Sequence, residues 1–256
     1  MIPFFIKIPL FIAVLLVFIL ISISVDIVIR DNKQKLRLLA KITSIGSKIA
    51  LRIFGISVSI KNKPADKSAL EKVLVVSNHL SYLDILCISS VFPSLYITSV
   101  EVQRTFFLGL LARLGGSLFV ERRSKSLLLK EIDRIANVLK DGLSITLFPE
   151  GTSSNGEKVL PFKSALFSTA EKAGVKVQPV CIKYTQINKG PVTAENRDLA
   201  FYYGDIEFFP HLIKLFFVKH ISVEITFIEP TDNLQLDRKD LVNQMFTAIS
   251  ETYCSV

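Results

Sequence analysis

The chain from Gly55 onward predicts a single α/β domain, because short apolar runs alternate there with segments of helical periodicity. No repeat, low-complexity tract or Pro/Ser-rich linker divides this region. Its length also fits, since a chain of 256 residues can bury one sizeable core and still carry extra helices. Two N-terminal segments precede the domain, which we therefore place at residues 55–256.

The first segment, residues 1–30, is predicted to be a transmembrane anchor. No charged residue lies between Ile8 and Val25, and this length is near the lower limit for a membrane-spanning helix. A cleaved signal peptide is the alternative, but residues 22–26 form a poor small-residue cleavage site. Lysine and arginine are much more frequent after the stretch than before it. We therefore expect the following domain to lie on the cytoplasmic face of the membrane.

The second segment, residues 31–54, is predicted to be a basic amphipathic helix. An apolar stripe at helical spacing is formed by Leu38, Ile42, Ile45, Ile49 and Ile53, and a mostly basic stripe by Arg37, Lys41, Ser44, Lys48 and Arg52. A basic stripe is most often a solvated face. Beside a membrane anchor, we favour a helix that lies in the plane of an anionic lipid surface.

The domain itself is predicted to contain seven strands and six helices. The strands are expected at 56–60, 73–77, 95–99, 117–120, 144–148, 176–183 and 221–227. The helices are expected at 83–91, 106–114, 124–140, 163–173, 208–219 and 241–254, the last of them capped by Asp240. The apolar stripe of Phe208–Phe217 could face either the core or lipid.

A histidine and an aspartate follow the second predicted strand, in the segment Asn-His-Leu-Ser-Tyr-Leu-Asp at residues 78–84. Residues just beyond a strand end are where α/β folds place their chemistry. His79 could take a proton near neutral pH, and Asp84 could hold its second ring nitrogen. A five-residue step does not align two side chains on one helix, so we expect His79 in the turn and Asp84 in the first helical turn. A loop histidine beside an N-terminal helix carboxylate is the structural alternative.

A second group follows the strand at 144–148, in the segment Phe-Pro-Glu-Gly-Thr-Ser at residues 148–153. Glu150 is a carboxylate at a strand exit, and Gly151 allows the backbone to turn and approach a ligand. The stretch from Gly151 to Lys158 nearly matches a nucleotide-binding P-loop, but Glu157 interrupts the required Gly-Lys-Ser/Thr ending. We therefore do not predict a nucleotide site.

Four ordered blocks resemble those of the glycerolipid acyltransferases, a family that includes the lysophosphatidic acid acyltransferases. The blocks are residues 78–84, 116–122, 148–154 and 177–180, so the resemblance covers about Val73 to Ile182. It implies a mixed central sheet flanked by helices. It also implies His79 and Asp84 as catalytic residues and a substrate-binding group that comprises Phe119, Arg122, Glu150, Gly151 and Thr152.

The activity that this resemblance implies is direct O-acyl transfer to the free hydroxyl of lysophosphatidic acid, which yields phosphatidic acid for phospholipid biosynthesis. The donor would be acyl-CoA or acyl carrier protein, with no metal and no other cofactor. The expected setting is the cytoplasmic face of a membrane, most simply a bacterial inner membrane. Anionic lipid is the expected surface, in line with a formal net charge of +8.

Other classes are less well supported by the sequence. A nucleic-acid module is not expected, because the chain has no zinc-finger spacing and no tryptophan. The three cysteines form no CxxC pair, and no G-x-S-x-G elbow marks a serine hydrolase. A non-catalytic lipid or carrier-protein binder on the same fold would be free to lose His79 or Asp84, and both are present.

The acceptor has one open alternative. Many lysophosphatidic acid acyltransferases have an arginine after Glu-Gly-Thr, whereas this chain has Ser153. The residues Asn-His-Leu-Ser-Tyr-Leu-Asp and Thr-Ser-Ser-Asn-Gly also resemble the motifs of the lyso-ornithine lipid acyltransferases, whose acceptor has no phosphate. Lysophosphatidic acid remains the leading prediction because Arg122 is in place, and a guanidinium suits a phosphate.

Overall fold

A computed structural model describes residues 2–230 and 237–255. Its helices are α1 Phe4–Val28, α2 Asn32–Phe54, α3 Leu83–Val91, α4 Val100–Arg104, α5 Phe106–Leu114, α6 Lys125–Lys140, α7 Ser168–Ala173, α8 Phe208–Phe217 and α9 Arg238–Cys254. Its strands are β1 Ile56–Lys61, β2 Leu74–Ser77, β3 Leu95–Ser99, β4 Leu118–Val120, β5 Ile145–Leu147, β6 Val177–Ile187, β7 Gly190–Pro191 and β8 Ile221–Phe227.

The strands form one mixed sheet in the order β1-β8-β6-β2-β5-β3-β4, with β7 paired to β6. The strands β6, β2, β5, β3 and β4 run parallel, and β8 is antiparallel to β6. Side chains alternate between the two faces, so Leu74 and Val76 pack with α6, α7 and α9, while Val75 packs with α2, α3 and α8. The predicted α/β fold with a mixed sheet between helices is confirmed.

Several predicted boundaries differ from the structure. The helix predicted from residue 163 starts as a 3-10 turn at Ala165–Phe167, and its α-helical part begins at Ser168. The N-cap predicted at Asp240 is wrong, since the side chain of Asp237 caps α9 by accepting from the Lys239 N–H at 3.2 Å. The short helix α4 was not predicted.

The first two helices form an antiparallel pair along the domain. Early α1 meets late α2, where the rings of Phe11 and Phe54 lie 5.0 Å apart. Late α1 meets early α2, where Lys35 Nζ lies 2.8 Å from Asp26 Oδ1. Helix α2 packs on the domain through its other side, and Phe54 is only 1% exposed. Helix α1 is long and apolar enough to cross a membrane, and only 6% of its most apolar stretch is buried in the protein.

Helix α2 buries a face that only partly coincides with the one that its isoleucines predict. The buried residues are Leu39, Ala40, Ser44, Ser47, Ala50, Leu51, Ile53 and Phe54. Ser44 was predicted on the basic stripe but is buried, whereas Ile45 is 60% exposed. Small residues face the neighbouring helices because they allow a close approach. The exposed isoleucines are thus left beside exposed basic residues.

A buried lysine attaches α1 to the domain. Lys7 is 2% exposed, and its Nζ donates to the carbonyls of Phe54 at 3.2 Å and Val218 at 2.7 Å. These carbonyls belong to the C-terminal ends of α2 and α8, which lack intrahelical donors and carry partial negative charge. The first helix is therefore docked as part of the folded unit.

Candidate active site

The loop after β2 is fixed to β6 by an asparagine side chain. Asn78 donates from Nδ2 to the Ile182 carbonyl at 2.9 Å and accepts from the Ile182 N–H at 2.8 Å. The amide thus continues the β2–β6 ladder by one step after the backbone has turned away. This rigid loop is the support for His79.

His79 and Asp84 meet as their spacing predicts, with the histidine in the loop and the aspartate in the first turn of α3. The Nδ1 atom of His79 lies 2.9 Å from Asp84 Oδ2. The same oxygen accepts from the backbone N–H groups of Leu80 at 2.6 Å and Ser81 at 2.9 Å, and Oδ1 accepts from the Tyr184 hydroxyl at 2.8 Å. Asp84 is fully buried. This carboxylate favours the tautomer of His79 with the proton on Nδ1, so Nε2 is free to accept a proton.

A phenylalanine fixes the plane of the imidazole. The rings of His79 and Phe148 are stacked with centroids 4.1 Å apart and planes at 14°. Phe148 directly follows β5, the parallel neighbour of β2. The two strand ends therefore bring His79 and its stacking partner to the same edge of the sheet.

Glu150 supports the loop of His79 from behind. Its Oε1 accepts from the His79 N–H at 2.6 Å, and its Oε2 accepts from the Leu160 N–H at 2.8 Å. Burial raises the pKa of this carboxyl to about 7, and the negative charge of Asp84 adds to the rise while the two N–H donors oppose it. Both oxygens are engaged with the main chain, so this geometry favours a positioning role for Glu150 over direct contact with the acceptor.

The raised pKa of Glu150 predicts a pH-dependent stability. The folded state holds the proton up to about pH 7, whereas an unfolded chain would release it near 4.5, so the free energy of unfolding should fall as pH rises between these values. Glu150→Gln cannot titrate and should lack this slope. Between pH 5 and 8 we expect the stability of the unmodified protein relative to the variant to fall by on the order of 3 kcal/mol. Thermal or denaturant unfolding in detergent measures it.

The matched control for this experiment is Glu171→Gln, because Glu171 is an exposed carboxylate on α7. Its unfolding should keep the pH dependence of the unmodified protein. Equal pH slopes for Glu150→Gln and the unmodified protein would show that the Glu150 carboxyl does not titrate in this range.

Two cations converge beside Gly151. This glycine has φ of 74°, and a Cβ placed on it would lie 2.7 Å from Lys163 Nζ and 2.9 Å from Arg122 Nη1. Arg122 Nη1 also donates to the Gly151 carbonyl at 3.5 Å, while its buried Nε finds no partner within residues 2–230 and 237–255. A side chain at position 151 would fill the space between the cations. The arrangement suits an anionic group of a ligand.

A cavity of about 470 Å³ adjoins His79 and Arg122, whereas Lys163 is not one of its lining residues. Its wall includes His79, Arg122, Gly151 and Thr152. Apolar side chains make up much of the remaining wall, among them Phe11, Leu15, Ala50, Leu108, Leu111 and Leu212 from α1, α2, α5 and α8. An imidazole, a guanidinium and a largely apolar space are thus combined in one cavity, an arrangement that suits an anionic ligand with a hydrocarbon chain.

The structure places three other predicted residues outside the lining of the cavity. Asp84 and Glu150 lie behind the cavity wall, and Phe119 is half-buried and outside the wall, with its carbonyl accepting from Arg134 Nη2 at 2.9 Å. Ser153 lines the cavity while its hydroxyl donates to the Tyr202 carbonyl.

The sequence did not reveal three residues that contact the candidate site. They are Tyr184, which bonds Asp84, Phe148, which stacks on His79, and Lys163, which lies beside Gly151. Tyr184 lies 100 residues from the Asp84 carboxylate that it contacts, and nothing local marks it. Lys163 follows the Glu-Gly-Thr block by about ten positions, and a lysine there reads as an ordinary surface cation.

Comparisons with known proteins identify the family. The acyltransferase family profile matches residues 57–183. The chain is 36% identical over 206 residues to a lyso-ornithine lipid O-acyltransferase of Brucella abortus (strain 2308), with 77% of this chain and 76% of the relative covered. It is 32% identical over 182 residues to a 1-acyl-sn-glycerol-3-phosphate acyltransferase of Neisseria gonorrhoeae, with 69% of each covered.

A solved structure has a similar fold over nearly the whole chain. It is the 1-acyl-sn-glycerophosphate acyltransferase PlsC from Thermotoga maritima, with a TM-score of 0.66, 21% identity, and coverage of 97% of this chain and 94% of that one. The sequence similarity defines an acyltransferase, and the solved structure shows the same fold. The chain belongs to the glycerolipid acyltransferase family, and the two relatives from Brucella abortus and Neisseria gonorrhoeae are lysolipid acyltransferases. The resemblance found in the sequence blocks is confirmed.

Proposed function

We propose that this enzyme transfers a fatty acyl group from a thioester donor to the free hydroxyl of a lysolipid, with His79 as the general base. The observation that carries the proposal is the orientation of His79: Nδ1 is held by a fully buried carboxylate, and the ring lines a largely apolar cavity. The donor would be acyl-CoA or acyl carrier protein. No metal or further cofactor is needed for this chemistry.

The proposed reaction begins with the acceptor hydroxyl beside His79 Nε2. The nitrogen takes the hydroxyl proton as the oxygen attacks the thioester carbonyl, and Asp84 stabilises the imidazolium that forms. The tetrahedral intermediate collapses, the carbon–sulfur bond breaks and the acyl–oxygen ester remains. The thiolate takes the proton back from His79, so the enzyme returns to its starting state.

The acceptor that we favour is lysophosphatidic acid. Its phosphomonoester would bind Arg122. Position 153 is a serine and offers no cation, so the Lys163 ammonium would be the second positive charge beside the phosphate. A lyso-ornithine lipid is the second candidate. It is favoured by the similarity to four enzymes of that name and by Ser153, whose hydroxyl is engaged with Tyr202.

Alanine at Arg122 or Lys163 should raise the apparent KM for lysophosphatidic acid. Hydrogen bonds to charged groups contribute about 1.5–3 kcal/mol, so Arg122→Ala should weaken acceptor use by roughly tenfold to a hundredfold. Lys163→Ala should have a smaller effect, since Lys163 is exposed. Initial rates of transfer from labelled acyl donors to a panel of lysolipids measure both.

Arg123→Ala is the matched control, because the neighbouring guanidinium is 77% exposed and pairs with Glu101. Its KM should stay close to that of the unmodified enzyme. Little loss in Arg122→Ala, with faster acylation of a lyso-aminolipid than of lysophosphatidic acid, would identify the second acceptor as the right one. Absence of transfer to every lysolipid in the panel would reject the proposed activity.

The membrane setting that we propose rests on α1 and on the exposed basic residues of α2. Helix α1 is apolar and 6% buried over its most hydrophobic stretch, so lipid is its natural surrounding. The excess of lysine and arginine after α1 favours the cytoplasmic face, most simply of a bacterial inner membrane.

A further inference from the structure

Helices α5 and α8 and the first turn of α1 present large apolar side chains to the outside. Phe106 is 92% exposed, Phe209 and Ile213 are each 58% exposed, Phe217 is 57% exposed and Phe4 is 47% exposed. We name these five residues the apolar rim. Single exposed apolar residues are common on soluble proteins, so the question is whether the members of the rim form one surface.

Ring contacts connect the three helices that carry the rim. Phe4 of α1 stacks on Phe217 of α8 with centroids 4.9 Å apart. Phe107 of α5 lies 5.6 Å from Phe208 and 5.7 Å from Phe209 of α8. The rim is therefore a continuous surface across three helices.

The rim is surplus to the core of the domain. Helix α8 already buries His211, Leu215 and Phe216 in the interior of the protein, and its rim residues point the other way. The same helices form the wall of the active-site cavity with Phe107, Phe208 and Leu212, which directly adjoin rim residues in sequence. One side of this wall thus faces the cavity, and the other side carries bare apolar groups.

We propose that the apolar rim is a lipid-contact surface, seated in the hydrocarbon of the same membrane that holds α1. Lipid is the occupant that fits best because the rim is continuous with α1, the helix apolar enough to span a membrane. Exposed cations, Lys214 and Lys219, flank it where anionic headgroups would lie. The cavity wall is then immersed in the phase from which both lipid substrates come. This inference rests on the proposed membrane setting but not on the identity of the acceptor.

The absence of tryptophan from the chain makes a direct test possible. Phe106→Trp and Phe209→Trp each place a single fluorophore on the rim of the full-length protein. Leu129→Trp is the matched control, because Leu129 is 50% exposed on α6, across the sheet from α8. Each variant is reconstituted into vesicles of anionic phospholipid with and without bromine on the acyl chains. Circular dichroism verifies the fold.

Brominated lipid should quench both rim fluorophores by at least about half, and the control at position 129 should stay largely unquenched. Equal quenching at position 129, or no quenching at either rim position in vesicle-bound protein, would overturn the proposal. A blue-shifted but unquenched emission would mean that protein covers the rim, for example a second copy of the chain, and would also overturn it. Acyl transfer measured on the same samples separates the two proposals: quenching without transfer keeps the lipid surface and rejects the activity, and transfer without quenching does the reverse.

Discussion

Replacing His79 with alanine is expected to lower the rate of acyl transfer by about 10²–10⁴-fold, the range that a general base contributes. The folded state should change little, because His79 lies in a loop and its main-chain bonds to Glu150 and Ser154 do not involve the ring. The rate is measured with purified protein and a labelled thioester donor, and folding is followed by thermal unfolding. Substantial transfer by the purified variant would remove His79 from the mechanism.

The same pair of residues offers a sharper test at Asp84. Asp84→Asn should reduce the rate by about 10⁴-fold, since an amide can leave the imidazole in the wrong tautomer. Tyr184→Phe removes only the hydroxyl that donates to Asp84 Oδ1 and keeps both the carboxylate and the base. It should therefore retain most of the rate. A loss in Tyr184→Phe as large as that in Asp84→Asn would show that fold disruption, and not the tautomer, explains the effect.

Deleting residues 1–30 is expected to inactivate and destabilise the domain, and not merely to release it from lipid. The deletion uncovers Phe54 and Phe216, which pack against Phe11, and opens the cavity on the side of α1. It also leaves the carbonyls of Phe54 and Val218 without their lysine donor. Thermal unfolding and acyl transfer, both in detergent micelles, measure this effect apart from membrane attachment.

A single substitution isolates the contribution of the lysine. Lys7→Met keeps an apolar α1 but leaves two carbonyls unpaired, at a cost of about 1–3 kcal/mol each if they stay buried. Lys33→Met is the matched control, because Lys33 is exposed at the start of α2. Its removal should leave the free energy of unfolding nearly unchanged. For the deletion of residues 1–30, unchanged thermal unfolding and full activity in detergent would show that α1 is a separable anchor.

The sequence revealed most of the sheet because its central strands are buried on both faces and read as short apolar runs, such as Leu74–Ser77. It also revealed the pairing of His79 with Asp84, because five positions suffice to join a turn to the first turn of a helix. The bond from Tyr184 to Asp84 and the convergence of Lys163 with Arg122 depend on how distant segments meet, and no local pattern carries that information. The buried face of α2 was misjudged for a related reason: close helix packing selects small residues, whereas periodicity analysis follows the large ones.

The bond from Lys7 to Val218 has a consequence for the order of folding. The two residues are 211 positions apart, so the lysine leaves the ribosome long before its second acceptor exists. Lys7 is a charged group in an apolar segment, and it can make this contact only after α8 has formed and its C-terminal end is in place. Contacts of such long sequence separation form late and slow the folding of a chain. Helix α1 is synthesised before α8, yet it is therefore expected to be among the last elements to reach its native contacts, and the cavity wall to which it contributes is completed only then.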